Sequence, residues 1–358
     1  MADGLPVDSS KKDKLMALLI TGGGGFIMSN LALLWLKNHP SEEVVILDAG
    51  PKDKALQRFW EPVANRLKYF QGSVLDDEII EKIATTESID RIVHAATVTL
   101  FAPELPGGER VANPEIDAPA TVLEVNFMGT VRLLEMAKKL PHLKCFLNLS
   151  SGAVYNDYGP EPPGPMPEDG WVDPPEFYGI TKLASEMTAT RYGQIFNFKV
   201  ASCRLSGVYG PMDRWRPSRA YHCPPYVAIH RALASKPVRI NAPSGVGDHI
   251  NSQDVANALI SLLEQAEPFS YSVYNIAQGE AITLEELLTI VQGVVPDLTW
   301  EIADLGDCDI VMDPTFSKGR WGAYDISRIT QETGWRPRPM AAALADYADF
   351  VRSFGQTP

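Results

Sequence analysis

Tyr178 is the one tyrosine among twelve that is followed four residues later by a lysine, Lys182, in the stretch FYGITKLASE. On a helix that spacing sets both side chains on one face. An unperturbed phenol, with a pKa of about 10, is a poor base at neutral pH. A neighbouring ammonium favours the phenolate, which can take the proton of a substrate hydroxyl as hydride leaves the adjoining carbon. A buried tyrosine beside a snorkelling lysine gives the same pattern, so the pair needs company. It has it in NLSSGAVYN, where an apolar run ends at Ser151, a hydroxyl placed to hydrogen-bond the reacting oxygen and stabilise its developing charge.

Oxidation of that kind needs a hydride acceptor, and LLITGGGGFIMSN supplies a place for one. An apolar strand running through glycines into a helix start offers backbone amides and the positive end of a helix dipole to a pyrophosphate. Gly22 and Gly25 take the first two positions of the dinucleotide fingerprint, one for the tight turn and one for close backbone approach. Asp48, at the end of the next apolar run, stands near the spacing of about 20 residues at which a carboxylate accepts from the adenosine ribose. A carboxylate there repels a 2′-phosphate, so NAD is expected over NADP. Met28 fills the third fingerprint position, whose usual role is helix-to-strand packing. The larger side chain is expected to push the helix outward or to repack beneath it, with the cofactor binding regardless.

These residues need elements to hold them. The runs LMALLIT, EVVILDA, RIVHAA, KCFLNLS and KVASCRL read as strands between turn signals, and Phe26 to Lys37, Thr121 to Leu140 and Tyr178 to Tyr192 read as helices. Such alternation predicts an α/β fold, a Rossmann-type doubly wound parallel sheet with crossover helices on both faces. After Leu205 the periodicity weakens and separate helices follow at Thr283 to Val294 and Met340 to Phe354. The expected division is an NAD-binding domain over 1–205 to which 246–276 return, and a smaller substrate-binding region from 206–245 and 277–358. The run Tyr158 to Pro175 is too rich in proline for a helix or central strand and is expected to be a long surface loop.

Composition narrows the partners. The 358 residues are 45% hydrophobic and 22% charged, an ordinary globular balance. A formal charge of −13 with no basic run opposes binding to nucleic acid or anionic membranes. No apolar run approaches the roughly 18 residues of a membrane span. Cys145, Cys203, Cys223 and Cys308 form no Cys-x-x-Cys pair, so neither zinc nor a disulfide framework is indicated and a reducing, cytoplasmic setting is expected.

In order along nearly the whole chain come TGGGGFI, Asp48, GSV at Gly72 to Val74, VHAAT, EVNFMGT, LSSGAVY, YGITKLASE, CRLSGVYGP, GDHINSQDVANAL, YNIAQGEAITLEEL and GWRPRP. This series resembles an extended short-chain dehydrogenase/reductase of the NAD-dependent epimerase/dehydratase family. The resemblance implies that Ser151, Tyr178 and Lys182 are catalytic. It implies that Gly22, Gly25, Phe26, Ile27 and Asp48 hold the adenosine diphosphate half, with Ser73 and Val74 beside the adenine. Ser73 stands where the family usually has an aspartate. Ala95, Ala96 and Asn126 would line or support the cofactor channel, Lys182 would also bond the nicotinamide ribose, and Arg204 would begin the segment over the nicotinamide. A homodimer formed by the helices carrying Asn126 and Tyr178 is implied as well.

Members of the family oxidise, epimerise or dehydrate. Dehydratases carry an acidic pair where this chain has Gly152 and Ala153, which disfavours elimination of water. Relatives acting on nucleotide sugars usually have an arginine at the position of Gly247 and an asparagine at that of Ser206. A missing arginine removes a charge-assisted contact worth roughly 1.5 to 3 kcal/mol. Thr97, Ser151, Gly152, Ser206, Arg214 and Arg216 are the expected substrate contacts. The segment Gly210 to Tyr226 mixes arginines and aromatics that suit a carboxylate, phosphate or sugar, or equally an exposed loop anchored by Trp215. His94 reads as a strand-end structural residue, while His222 and His230 fit either pocket or surface. The expected reaction is NAD-dependent oxidation of a secondary alcohol in a sugar, sugar acid or polyol. The alternatives are an epimerase that retains its NAD and, from another class, a non-catalytic NAD-binding regulator.

Overall fold

The computed structural model describes residues 15–99, 113–155, 164–215, 222–313 and 323–355. Six strands, β1 (Ala17–Thr21), β2 (Glu43–Asp48), β3 (Leu67–Gln71), β4 (Ile89–His94), β5 (Cys145–Ser151) and β6 (Val200–Leu205), form one parallel sheet with a seventh, Val273–Ile276. Their order across the sheet is β3, β2, β1, β4, β5, β6 and then Val273–Ile276. The chain thus reverses direction across the sheet between β1 and β4, the crevice in which doubly wound sheets bind ligands beyond the carboxyl ends of their strands. β1 is buried throughout and β2 over its four central residues, as strands covered on both faces must be.

Helices cover the two faces. Phe26–Asn38 and Ser252–Leu263 pack on one side, where Leu31, Trp35, Val255 and Leu259 join β-strand residues such as Leu18 and Ile46 in one apolar cluster. On the other side Leu133, Leu134 and Ile83 pack on Leu19, Val45 and Ile92. A separate cluster of Ile229, Val238, Leu288, Leu344 and Tyr347 forms from the segments after Leu205. Ile329 and Trp335, late in the chain, pack into the first cluster instead.

Three features depart from expectation. Leu67–Gln71, not read as a strand from sequence, completes one edge of the sheet, while the other edge is Val273–Ile276, within the segment expected to return to this domain. The helix expected over Thr121 to Leu140 is broken by a π turn, Glu124–Met128, between Pro119–Leu123 and Gly129–Ala137. Finally, the described part of the proline-rich run is not a surface loop throughout. Met166 and Glu168 are buried, and Val172 and Met166 make isolated bridges to Tyr155 and Tyr324.

Candidate active site

The glycine run is shaped by its neighbours. Gly22 has φ +66°, and a Cβ there would lie 2.9 Å from the backbone N and Cα of Ala96. Only glycine meets both demands. Gly25 is the N-cap of helix Phe26–Asn38 and has no side-chain acceptor to offer its first-turn amides. At the end of β2, Asp48 accepts from the Gly24 amide at 2.8 Å and from the Gly50 amide at 2.8 Å, one on each carboxylate oxygen. That leaves the carboxylate half-buried beside the glycine turn with lone pairs to spare. A bare helix start, a Cβ-free cradle and a carboxylate at the ribose position fit a dinucleotide. Ser73 accepts from the Leu75 amide at 3.1 Å, and Val74 is buried against Gly129, whose missing Cβ makes room for it.

Met28 is 2% exposed and packs within the first apolar cluster. Its side chain is part of the apolar packing under the helix. Met28→Gly should therefore cost about 3 kcal/mol, from the lost packing plus the helix penalty of glycine, with NAD affinity unchanged. Urea unfolding checks the first part and NAD titration the second.

At the carboxyl end of β4, Thr21 Oγ1 accepts from the amides of Ala95 and Ala96 at 3.2 and 3.3 Å, fixing the segment that faces Gly22. His94 is buried with Nδ1 2.7 Å from Thr21 Oγ1 and Nε2 3.0 Å from Thr130 Oγ1. Thr130 donates its hydroxyl to the Asn126 carbonyl. Nε2 of His94 therefore carries the hydrogen and Nδ1 accepts from Thr21. Burial, helped by the charge of Lys182, pushes the imidazole down to about 3. His94 is structural, as the sequence suggested. His230 and His249 are pushed down by burial to about 4, whereas burial pushes Asp248 up to about 6.

The sign of the stability change follows. Below pH 6.5 the unfolded chain protonates the three histidines before the folded one does, so each loses stability as pH falls from about 6.5. Asp248 and Glu168, both pushed upward by burial, act oppositely as the pH falls toward 4, two groups against three. The urea midpoint should be lower at pH 5 than at pH 7.5, and His94→Gln should shrink that drop. An undiminished drop in the variant contradicts the assignment.

The π turn aims Asn126 inward, as such turns often do at functional sites. Its Oδ1 accepts from the Val98 amide at 2.7 Å and Thr97 Oγ1 at 3.1 Å, and its Nδ2 donates to Val98 O at 3.0 Å and Thr181 Oγ1 at 3.2 Å. Asn126 thus ties the loop after β4 to helix Phe177–Phe196, which carries Tyr178. Thr97, expected at the substrate, gives its hydroxyl to Asn126.

Gly179, which the motif reading passed over, joins the elements that carry Ser151, Tyr178 and Lys182. A Cβ at that position would lie 2.4 Å from Ala153 O and 2.7 Å from Pro174 Cβ, so the helix rests directly on the Gly152–Val154 turn that follows Ser151. Ser151 caps that turn, its Oγ accepting from the Ala153 amide at 3.2 Å. One turn along the helix, Lys182 donates from Nζ to Leu149 O at 3.0 Å and lies 5.6 Å from the centre of the Tyr178 ring. Burial pushes its ammonium down to about 8, against the pull of Glu186. Tyr178 and Lys182 therefore lie on a helix that rests on the turn capped by Ser151, with Lys182 bonded to the strand that ends in Ser151.

The remaining expected contacts are differently engaged. Arg204 is buried with its guanidinium in a bidentate pair with Glu186, at 2.9 and 2.7 Å, and a third bond to Glu168 O at 2.9 Å. Three of its five guanidinium N–H donors are thus engaged inside the protein. The Ser206 hydroxyl lies beside Asp248. Arg214 pairs with Asp53 at 3.0 Å, across from the substrate segment to the loop after Asp48. Arg216 lies outside the described residues. Gly247 is covered by the ring of His249, whose Nε2 lies 2.5 Å from where a Cβ would be. His222 stacks on Tyr226 and Tyr226 on His230, with centroids 3.9 and 4.0 Å apart, and His230 bonds Tyr347, so these histidines belong to the second cluster. All four cysteines are buried and free. Among the described residues no group of side chains suits a metal ion and no helix is long and apolar enough to cross a membrane.

Residues 18–277 match the model of the NAD dependent epimerase/dehydratase family. A trifunctional UDP-glucose 4,6-dehydratase/UDP-4-keto-6-deoxy-D-glucose 3,5-epimerase/UDP-4-keto-L-rhamnose-reductase of Arabidopsis thaliana is 27% identical over 72% of this chain and 36% of its own length. The chain spans well under half the length of that relative and of a second one from the same plant, 40% of which is covered. The dTDP-glucose 4,6-dehydratase of Mycolicibacterium smegmatis is 25% identical over 94% of both chains. In fold, the chain is similar to the UDP-glucuronic acid 4-epimerase of Bacillus cereus, solved with UDP-glucuronic acid and NAD, at a TM-score of 0.74 and 22% identity over 95% of this chain and 100% of that one. The UDP-glucose 4-epimerase of Thermotoga maritima gives the same score and identity over 94% and 99%.

Proposed function

Given that the chain belongs to the NAD dependent epimerase/dehydratase family and is an NAD-dependent enzyme, we propose that it oxidises a secondary alcohol of a sugar at Ser151, Tyr178 and Lys182 and, as its net reaction, inverts that centre in a nucleotide-linked sugar. The observation that carries this reading is the helix of Tyr178 and Lys182 resting, through Gly179, on the turn that Ser151 caps, a turn that bears no acid. Gly22, Gly25, the amides at the start of helix Phe26–Asn38 and Asp48 would hold NAD, with Ala95, Ala96 and Asn126 shaping the channel. Bound there, NAD supplies the hydride acceptor. Tyr178 takes the hydroxyl proton, Lys182 favours its phenolate, and Ser151 bonds the reacting oxygen. Gly152 and Ala153 offer neither acid nor base for removing water, which sets the chain apart from a dehydratase.

A second reading, net oxidation of an unlinked sugar, is favoured by Gly247 under His249 and by the engagement of Arg214 with Asp53, which leave fewer cations for a diphosphate. Product chromatography on UDP-, dTDP- and GDP-sugars and on free sugars separates the two. A sugar-nucleotide isomer formed without net NADH supports the first, and NADH accumulating with a free sugar supports the second.

We further infer a homodimer. Leu123 and Met128 on one helix and Ile180, Met187 and Ile195 on its neighbour are exposed, at Met187 by 68%. The last three recur at i, i+7 and i+15, a single stripe that a second copy would cover. Light scattering at micromolar concentration should give twice the chain mass. A monomer contradicts the pairing.

A further inference from the structure

Tyr324 reaches the site from a part of the chain that no motif pointed to. A Cβ on Gly152 would lie 2.0 Å from the Tyr324 hydroxyl oxygen and 2.7 Å from its Cζ, so the phenol end occupies the side-chain space of the residue immediately after Ser151. The placement is built rather than incidental. The Tyr324 amide donates to Asp248 Oδ2 at 3.2 Å, while Met166 bonds the flanking residues from both sides, its amide to Ala323 O at 2.7 Å and its carbonyl to the Asp325 amide at 2.9 Å. Asn275 Nδ2 holds both Met166 O and Asp325 O, at 3.0 and 3.1 Å. Asp248 also accepts from the amides of Gln278 and Gly279. The ring packs against Tyr155, centroids 5.8 Å apart, in a small apolar cluster with Val154 and Met166.

We propose that Tyr324 is a specificity-determining residue: its hydroxyl stands in for a side chain at position 152, where it bonds and limits the substituent flanking the sugar hydroxyl that Ser151 holds. The assignment rests on the reading of this site as sugar-binding. It also gives a reason for Gly152, since any side chain there displaces the phenol. Asp248, Met166 and Asn275 are positioning residues for it.

The probes are UDP-glucose and UDP-glucuronic acid, which differ in the group flanking the 4-hydroxyl, and free glucose and glucuronate. Equilibrium dialysis against the NAD-loaded chain is run alongside turnover. Tyr324→Phe keeps the ring and should weaken binding of the accepted probe about fivefold, the worth of one net hydrogen bond, with melting temperature and retained NAD unchanged. Tyr324→Leu shortens the wall and should move the preference within the accepted pair about tenfold toward the larger flanking group. If both variants keep the wild-type affinities and ratio, a shared failure to bind any probe included, the proposal is overturned. Binding of a free sugar and of neither nucleotide sugar would overturn the nucleotide-linked reading alone, and Tyr324 would then be judged on the free pair.

Discussion

Tyr178→Phe should lower turnover at least about a hundredfold while leaving retained NAD close to the wild-type amount. The size follows from the share of rate that a positioned general base supplies, about 10²- to 10⁴-fold. The separation follows from where the ring sits. Tyr178 is half-buried at the start of its helix, one turn before Lys182, whereas the dinucleotide cradle is built from β1, β2 and the amides of a different helix. Phenylalanine keeps the ring over which the ammonium lies at 5.6 Å and removes only the hydroxyl proposed to take the proton. Near-normal turnover in this variant, measured with whichever sugar the wild-type chain accepts, would defeat the assignment of the base.

Arg204→Met should produce the largest loss of stability, about 3 to 5 kcal/mol, with the NAD content of the surviving folded protein unchanged. Arg204 and Glu186 are 4% and 3% exposed and bonded at two points. Removing one partner of such a pair leaves an uncompensated buried charge, which costs far more than the intact pair contributes. The third bond, to Glu168 O, is lost as well, and Glu168 is itself a buried carboxylate pushed upward by burial, with Arg328 nearby. Urea unfolding and released NAD measured on the same preparation decide between this role and the cofactor contact expected from sequence. Unchanged stability with reduced NAD would restore that contact.

The parts legible in the sequence were those set by local geometry. Tyr178 and Lys182 share a helix face because they are four apart, and Gly22, Gly25 and Asp48 mark a strand, turn, helix and strand that must be neighbours in a parallel sheet. The central strands announced themselves as continuous apolar runs. Leu67–Gln71 did not, because it is an edge strand whose buried Leu67 is followed by exposed or half-buried residues. Val273–Ile276 is short and sits at the opposite edge. The π turn around Asn126 slips the phase of the helical pattern by one residue, a change that the short helical pieces on either side do not make legible.

The long-range contacts were harder to read. Arg204 was given to the cofactor by the family resemblance, and nothing in its neighbourhood shows that Glu186, on another element, would take two of its donors. Gly179 carried a signal that could have been used: a glycine inside a helix costs about 1 kcal/mol relative to alanine and asks for a packing reason. Tyr324 carried none, because its role depends on a hydroxyl meeting a glycine more than a hundred residues away. Met166 and Glu168 were hidden in the same way, by prolines that correctly excluded helix and strand but said nothing about burial.

The most direct test of the account is to denature the freshly purified chain, quantify the NAD released by chromatography, and follow nicotinamide absorbance of the intact chain with the sugar panel in parallel. An inverting enzyme with Tyr178 as its base predicts near-stoichiometric NAD and isomerised sugar nucleotide with no net reduction. Protein that carries no NAD, binds none when it is added and converts no sugar would contradict it.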